Sequence, residues 1–222
     1  MTGVTPPAGG PADPVAAAAE AVLRGLAHQL GNRAGTIGAA AEALHAADPS
    51  SQYAALLADE ARRLDELLRL LRLLPLDPAR APEPVRSADL MADALGLFAL
   101  HARGRELTPE VQGLEDAPPV RVRGPAVSRA LVVLLAAAAG PEGGAVRVRR
   151  GGTPTELAIL VDGPGSADGR AAAAAPDVAA AAALVAPDEG RVAHEAAPGA
   201  FVLRLPTLTE LRRRSGEVLA QR

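Results

Sequence analysis

The sequence has no cysteine among its 222 residues, which removes thiol catalysis, disulfides and thiolate metal sites. Tryptophan is absent, and two Phe and one Tyr are the only aromatic residues, so the stacking platforms that hold single-stranded nucleic acid are missing. Lysine is absent as well: the 23 cations are all Arg, against 26 acidic residues, for a formal net charge of −3. A balanced chain of this kind has no electrostatic footprint for nucleic acid. The longest apolar runs, residues 130–139 and 178–186, fall well short of the roughly 18 residues that cross a bilayer. Residues 1–13 carry neither the basic nor the apolar region of a secretory signal and are expected to form a disordered leader. The expectation is a cytoplasmic protein of one large or two small domains, with neither nucleic acid nor membrane as a partner.

What is present is strong helical patterning. Asp13-Pro14 offers an N-cap followed by a proline at the first helical position. Leu23, Leu26, Leu30, Ala34, Ile37, Ala41 and Leu44 then recur in steps of three and four and predict a helix over residues 14–47. Asp48-Pro49-Ser50 breaks the chain. Tyr53, Leu56, Leu57, Leu64, Leu67, Leu68, Leu71 and Leu74 predict a second helix over 51–74, its charged residues mostly on other faces. So short a turn makes an antiparallel hairpin, which cannot bury both stripes against itself. A second copy, giving a dimeric four-helix bundle, is the simplest cover, and the rest of the chain is the other. The proline-rich residues 74–84 mark a boundary. Beyond it the pattern predicts helices over 87–103, 125–139 and 177–185, and strands over 120–122, 145–149, 156–162, 190–194 and 200–205. Gly151-Gly152 is expected to be a hairpin turn, and residues 207–221 a terminal helix. The order describes an α+β fold: a helical hairpin over 14–76, an α/β sandwich over 84–206 and a C-terminal helix over 207–222.

Residues 26–44, LAHQLGNRAGTIGAAAEAL, resemble the H-box of two-component sensor histidine kinases, in which a histidine is followed by an acid and, four positions on, by Asn or Thr. Downstream, RALVVLLAAAAG (129–140), LAILVDGPG (157–165) and PGAFVLRLP (198–206) are similar to that family's Asn-bearing helix, adenine-binding strand and loop, and closing strands. Over residues 15–206 the resemblance implies a phosphoacceptor hairpin followed by an ATPase-like sandwich. The departures fall on the nucleotide contacts. Val133 and Ala137 stand where the family has two asparagines, so no amide oxygen there holds a magnesium triphosphate. The glycine loop appears as Asp162-Gly163-Pro164-Gly165, one residue short, with Asp162 left to face an adenine amino group. The alanine-rich residues 171–185 replace the family's second glycine motif, and a helix whose N–H groups are bonded internally cannot cradle phosphates. The resemblance therefore implies a degenerate ATPase-like domain binding no cofactor, with magnesium confined to a partner receiver.

The class so implied is a histidine phosphotransferase: a homodimer that presents His28 to receiver domains of response regulators, accepting and donating phosphoryl groups. At about 100° per residue, His28 and Asn32 lie roughly 160° from the centre of the first stripe, so both face solvent one turn apart. An exposed neutral imidazole nitrogen is a sufficient nucleophile toward an aspartyl phosphate. Gln29 stands where the family has its acid; its amide oxygen can hold the ring's tautomer but takes no proton. Asn32, the sole asparagine, occupies the position at which the family places a water that hydrolyses a receiver's phosphoaspartate. Gly25, Gly31 and Gly35 share His28's half of the helix at a cost of about 1 kcal/mol each relative to Ala. With Arg24 they are expected to form a low surface for a partner helix. His45, His101 and His194 read as structural or surface residues, and residues 212–214 as a solvated arginine face. The rival readings are a pseudokinase docking module and a receiver phosphatase acting through Asn32. A divergent ATP-dependent kinase is disfavoured by Val133, Ala137 and the lost lid.

Overall fold

Leucine periodicity and an early proline set the first two helices, α1 (Pro14–Ala46) and α2 (Ser51–Leu71). The computed structural model describes residues 14–46, 51–71, 73–74, 80–167 and 170–220; the expected leader and the break at 48–50 lie outside them. α2 stops three residues before the expected end, because Leu73 and Leu74 continue in tight turns onto the carbonyls of Leu70 and Leu71, at 3.0 and 3.2 Å.

The remaining elements run β1 (Glu83–Val85), α3 (Ser87–Leu100), β2 (Glu110–Gln112), β3 (Val120–Val122), α4 (Gly124–Ala139), β4 (Arg147–Gly152), β5 (Glu156–Asp162), α5 (Ala175–Val185), β6 (Arg191–Glu195), β7 (Ala200–Pro206) and α6 (Leu208–Ala220). One sheet has the order β2-β4-β5-β7-β6, parallel between β2 and β4 and antiparallel elsewhere. β1 and β3 form a separate antiparallel pair. The fold is α+β with a mixed sheet. β1 and β2 were not anticipated, since each is three residues long, mostly exposed and without an apolar alternation to signal it. Gly151-Gly152 belongs to β4 and is not the turn. The chain reverses over residues 153–155, where the Thr153 N–H donates to the Glu156 carbonyl at 2.8 Å, and Gly152 supplies the φ of 91° that the approach needs.

Strand alternation assigns the two faces of the sheet. Leu157, Ile159 and Val161 of β5, with Phe201, Leu203 and Leu205 of β7, point toward the helices and are fully buried. α4 is apolar on every side because it lies at the centre, packed on α3 and α5 with β5 and β7 beneath it. Residues 171–188 are apolar enough over 18 residues to match a membrane span by length and composition. Ala174, Ala181 and Val185 nevertheless sit in the same core as α4, and the Asp188 carboxylate is held inside by Arg123 at 3.2 Å. α6 starts from a cap, with Thr207 Oγ1 accepting the Glu210 N–H at 3.3 Å. Arg213 and Arg214 bind Glu210 and draw its pKa down to about 2, so two of the three arginines expected on a solvated face are ion-paired.

The hairpin leans on the sandwich. Val22, Leu26, Leu67 and Leu70 share one core with α3 and α4. Arg69 of α2 ion-pairs with Asp93 of α3. The inward face of α1 is thereby turned by one residue from the expected stripe: Val22 is buried and Leu23 is 48% exposed. Leu56 and Leu68 of α2 are each 40% exposed, so the chain covers part of each stripe and leaves the rest open.

Candidate functional site

The exposed face of α1 carries His28 and Asn32 where the wheel predicted them. Asn32 Nδ2 lies 3.2 Å from His28 Nε2. An amide NH2 can only donate, so with the amide in this orientation Nε2 is the acceptor and the ring proton resides on Nδ1. Gln29 was expected to hold the tautomer. It is half-buried, one residue further round the helix from the His28–Asn32 pair. Thr36 Oγ1 donates to the Asn32 carbonyl at 3.1 Å, tying the next turn to the same segment.

Behind this face lies an ion cluster that sequence reasoning missed. Arg33 Nη1 reaches both carboxylate oxygens of Glu60 at 3.1 Å, and Arg63 Nη1 adds a contact at 2.7 Å. The Glu60 side chain is only 3% exposed. A buried carboxylate held by two guanidinium groups fixes the rotation of α1 against α2, and with it the direction of His28. The signal was available, for Glu60 lies about 20° from Leu67 on the wheel of α2, inside the stripe.

The glycines divide. A Cβ at Gly31 or Gly35 would meet nothing within 4 Å, which leaves the low open surface expected beside His28. Gly25 does not share it. It is buried, and a Cβ there would stand 2.0 Å from the Leu100 carbonyl oxygen at the end of α3, so its role is close approach between α1 and α3 within one chain. The side chain of Arg24 lies outside the described residues.

In the sandwich, Val133 and Ala137 are buried apolar residues of α4. The loop after β5 is pressed onto that helix: a Cβ at Gly165 would lie 1.8 Å from the Ala137 carbonyl oxygen, and one at Gly163 would lie 2.7 Å from that of Ala138. Asp162 does not face the helices. With Val161 directed inward, residue 162 falls on the opposite face, where Arg147 binds its carboxylate at 2.9 Å and Arg149 stands at 3.6 Å. α5 packs directly on α4, with Ala181 and Val185 in the shared core. A surface depression of about 380 Å³ remains at the C-terminal end of α4, flanked by Arg103, Arg170 and Asp177.

Two other histidines are structural. His101 is buried, stacks on Phe98 and accepts the Arg103 N–H at 3.2 Å; burial, and then the nearby Arg103 charge, push its pKa below the usual value. His194 Nε2 lies 2.8 Å from the Ser166 carbonyl, joining β6 to the loop after β5.

No family model matches the sequence, and neither does any curated protein. Among solved structures, a bacterial phosphotransferase is similar at 18% identity and a TM-score of 0.41, over 90% of this chain and 99% of its own. The Acinetobacter baumannii histidine kinase AdeS is similar at 15% identity and a TM-score of 0.41, over 81% of this chain and 96% of its own. A histidine kinase from Burkholderia phymatum gives 17% and 0.41, over 82% and 96%. Likenesses this remote assign no activity to the chain.

Proposed function

We propose that this chain is a histidine phosphotransferase of two-component signalling, passing phosphoryl groups between receiver domains through His28 without binding ATP. The observation that carries the reading is an exposed imidazole with the Asn32 side-chain amide 3.2 Å from its Nε2, set in a segment that resembles an H-box and beside the open surface of Gly31 and Gly35. An aspartyl phosphate is already activated, so a correctly placed neutral nitrogen suffices, and magnesium belongs to the receiver. Incubation with phosphorylated receiver domains should move the label onto this chain. Label released to water without ever residing on the chain would favour the phosphatase reading through Asn32.

The reading without nucleotide is supported by apolar side chains at 133 and 137, by the loop pressed onto α4 and by the arginines that occupy Asp162. Calorimetric titration with Mg-ATP should give no heat beyond dilution; micromolar binding would contradict this part of the proposal.

A homodimer through α1 and α2 is the proposed assembly, supported by Leu23, Leu56 and Leu68, whose apolar surface the chain's own sandwich leaves open. Sedimentation at micromolar concentration should give about twice 22.4 kDa, and a monomer would contradict it.

A further inference from the structure

Resting on the phosphotransferase reading, we propose that Asn32 is a positioning residue for His28: its side-chain amide holds the ring proton on Nδ1 and thereby makes Nε2 the nucleophile. The geometry that carries this is the 3.2 Å contact from Asn32 Nδ2 to His28 Nε2, one helical turn apart on an exposed face. A neutral imidazole in water prefers its proton on Nε2, and an NH2 donor at that nitrogen shifts the balance toward Nδ1 because it has nothing with which to accept. Gln29 at the family's acid position offers no base, so an Nε2–H ring would have no local group to take its proton before attack. Selecting the tautomer in advance removes the need for one.

The transfer step then balances without further groups. The Nε2 lone pair attacks the phosphorus of the receiver's aspartyl phosphate as the phosphorus–oxygen bond to the aspartate breaks, and the carboxylate leaves with that electron pair. The ring proton stays on Nδ1 during the step and passes to water afterwards. Asn32 is exposed, so its side chain can rotate off Nε2 as the receiver arrives.

The test is the histidine ring nitrogen spectrum of the full chain labelled with nitrogen-15, recorded at about pH 8. His28 is assigned by its loss in His28→Ala. The ratio of Nδ1–H to Nε2–H at His28 should be about two- to tenfold higher in the wild type than in Asn32→Ala, the span expected of one hydrogen bond. Asn32→Asp, nearly isosteric but accepting only, should drive the ratio the other way. Transfer from a phosphorylated receiver should slow several-fold in both variants. An unmoved ratio across the three proteins would overturn the proposal, even if the wild type accepts phosphate. A ratio that moves as expected in a protein no receiver labels would sustain the assignment to Asn32 and overturn the phosphotransferase reading alone.

Discussion

His28→Ala is expected to reduce phosphoryl acceptance from a receiver by about 10³-fold or more, to background, because the only atom that forms the nitrogen–phosphorus bond is removed. His101 cannot take over, being buried against Phe98, nor can His194, whose Nε2 is engaged with the Ser166 carbonyl. The fold should survive. An exposed helical side chain changes stability by about 0.5 kcal/mol at most, and Ala is the better helix former. Circular dichroism and sedimentation should match the wild type while the label disappears. Undiminished labelling of the variant would move the acceptor elsewhere.

Gly25→Ala and Gly31→Ala should have opposite signs, although both put a methyl group into the same helix. At Gly31 the new Cβ meets open space, so the gain in helix propensity is realised, about 0.5–1 kcal/mol of stabilisation. At Gly25 it meets the Leu100 carbonyl oxygen at 2.0 Å, a backbone atom that cannot rotate away, so α1 must shift off α3. Overpacking of this kind costs about 1–3 kcal/mol and exceeds the propensity gain. The two variants should therefore differ by about 1–3 kcal/mol, roughly 2–12 °C in Tm for a chain of this length, measured by thermal unfolding. Equal stabilisation would mean that the hairpin is not seated on the sandwich at Gly25.

That seating explains where reading the sequence succeeds and where it stops. The hairpin and the order of the sandwich elements are legible because α1, α2, β5 and β7 keep long apolar periods. β1 and β2 are not, because a three-residue strand with two or more exposed positions has no period to read. The buried face of α1 is misplaced by one residue because α3 and α4 compete with α2 for it, a contact between residues such as Gly25 and Leu100 that no local pattern encodes. Asp162 is a different case. The inward alternation of Leu157, Ile159 and Val161 already puts residue 162 on the outer face. At the candidate site, exposure of His28 and Asn32 follows from the wheel, but the bond between them does not. The Glu60 cluster was within reach of the wheel, because a carboxylate inside the apolar stripe of α2 calls for a buried partner.

The most direct measurement incubates the purified full chain with a phosphorylated receiver domain, magnesium and no ATP, then digests it under alkaline conditions and maps the phosphoryl group by mass spectrometry. The account predicts a phosphate on the peptide containing His28, stable to alkali and lost in acid, as a nitrogen–phosphorus bond requires. A phosphate on any other residue, or a chain that acquires label only when ATP is supplied, would contradict it.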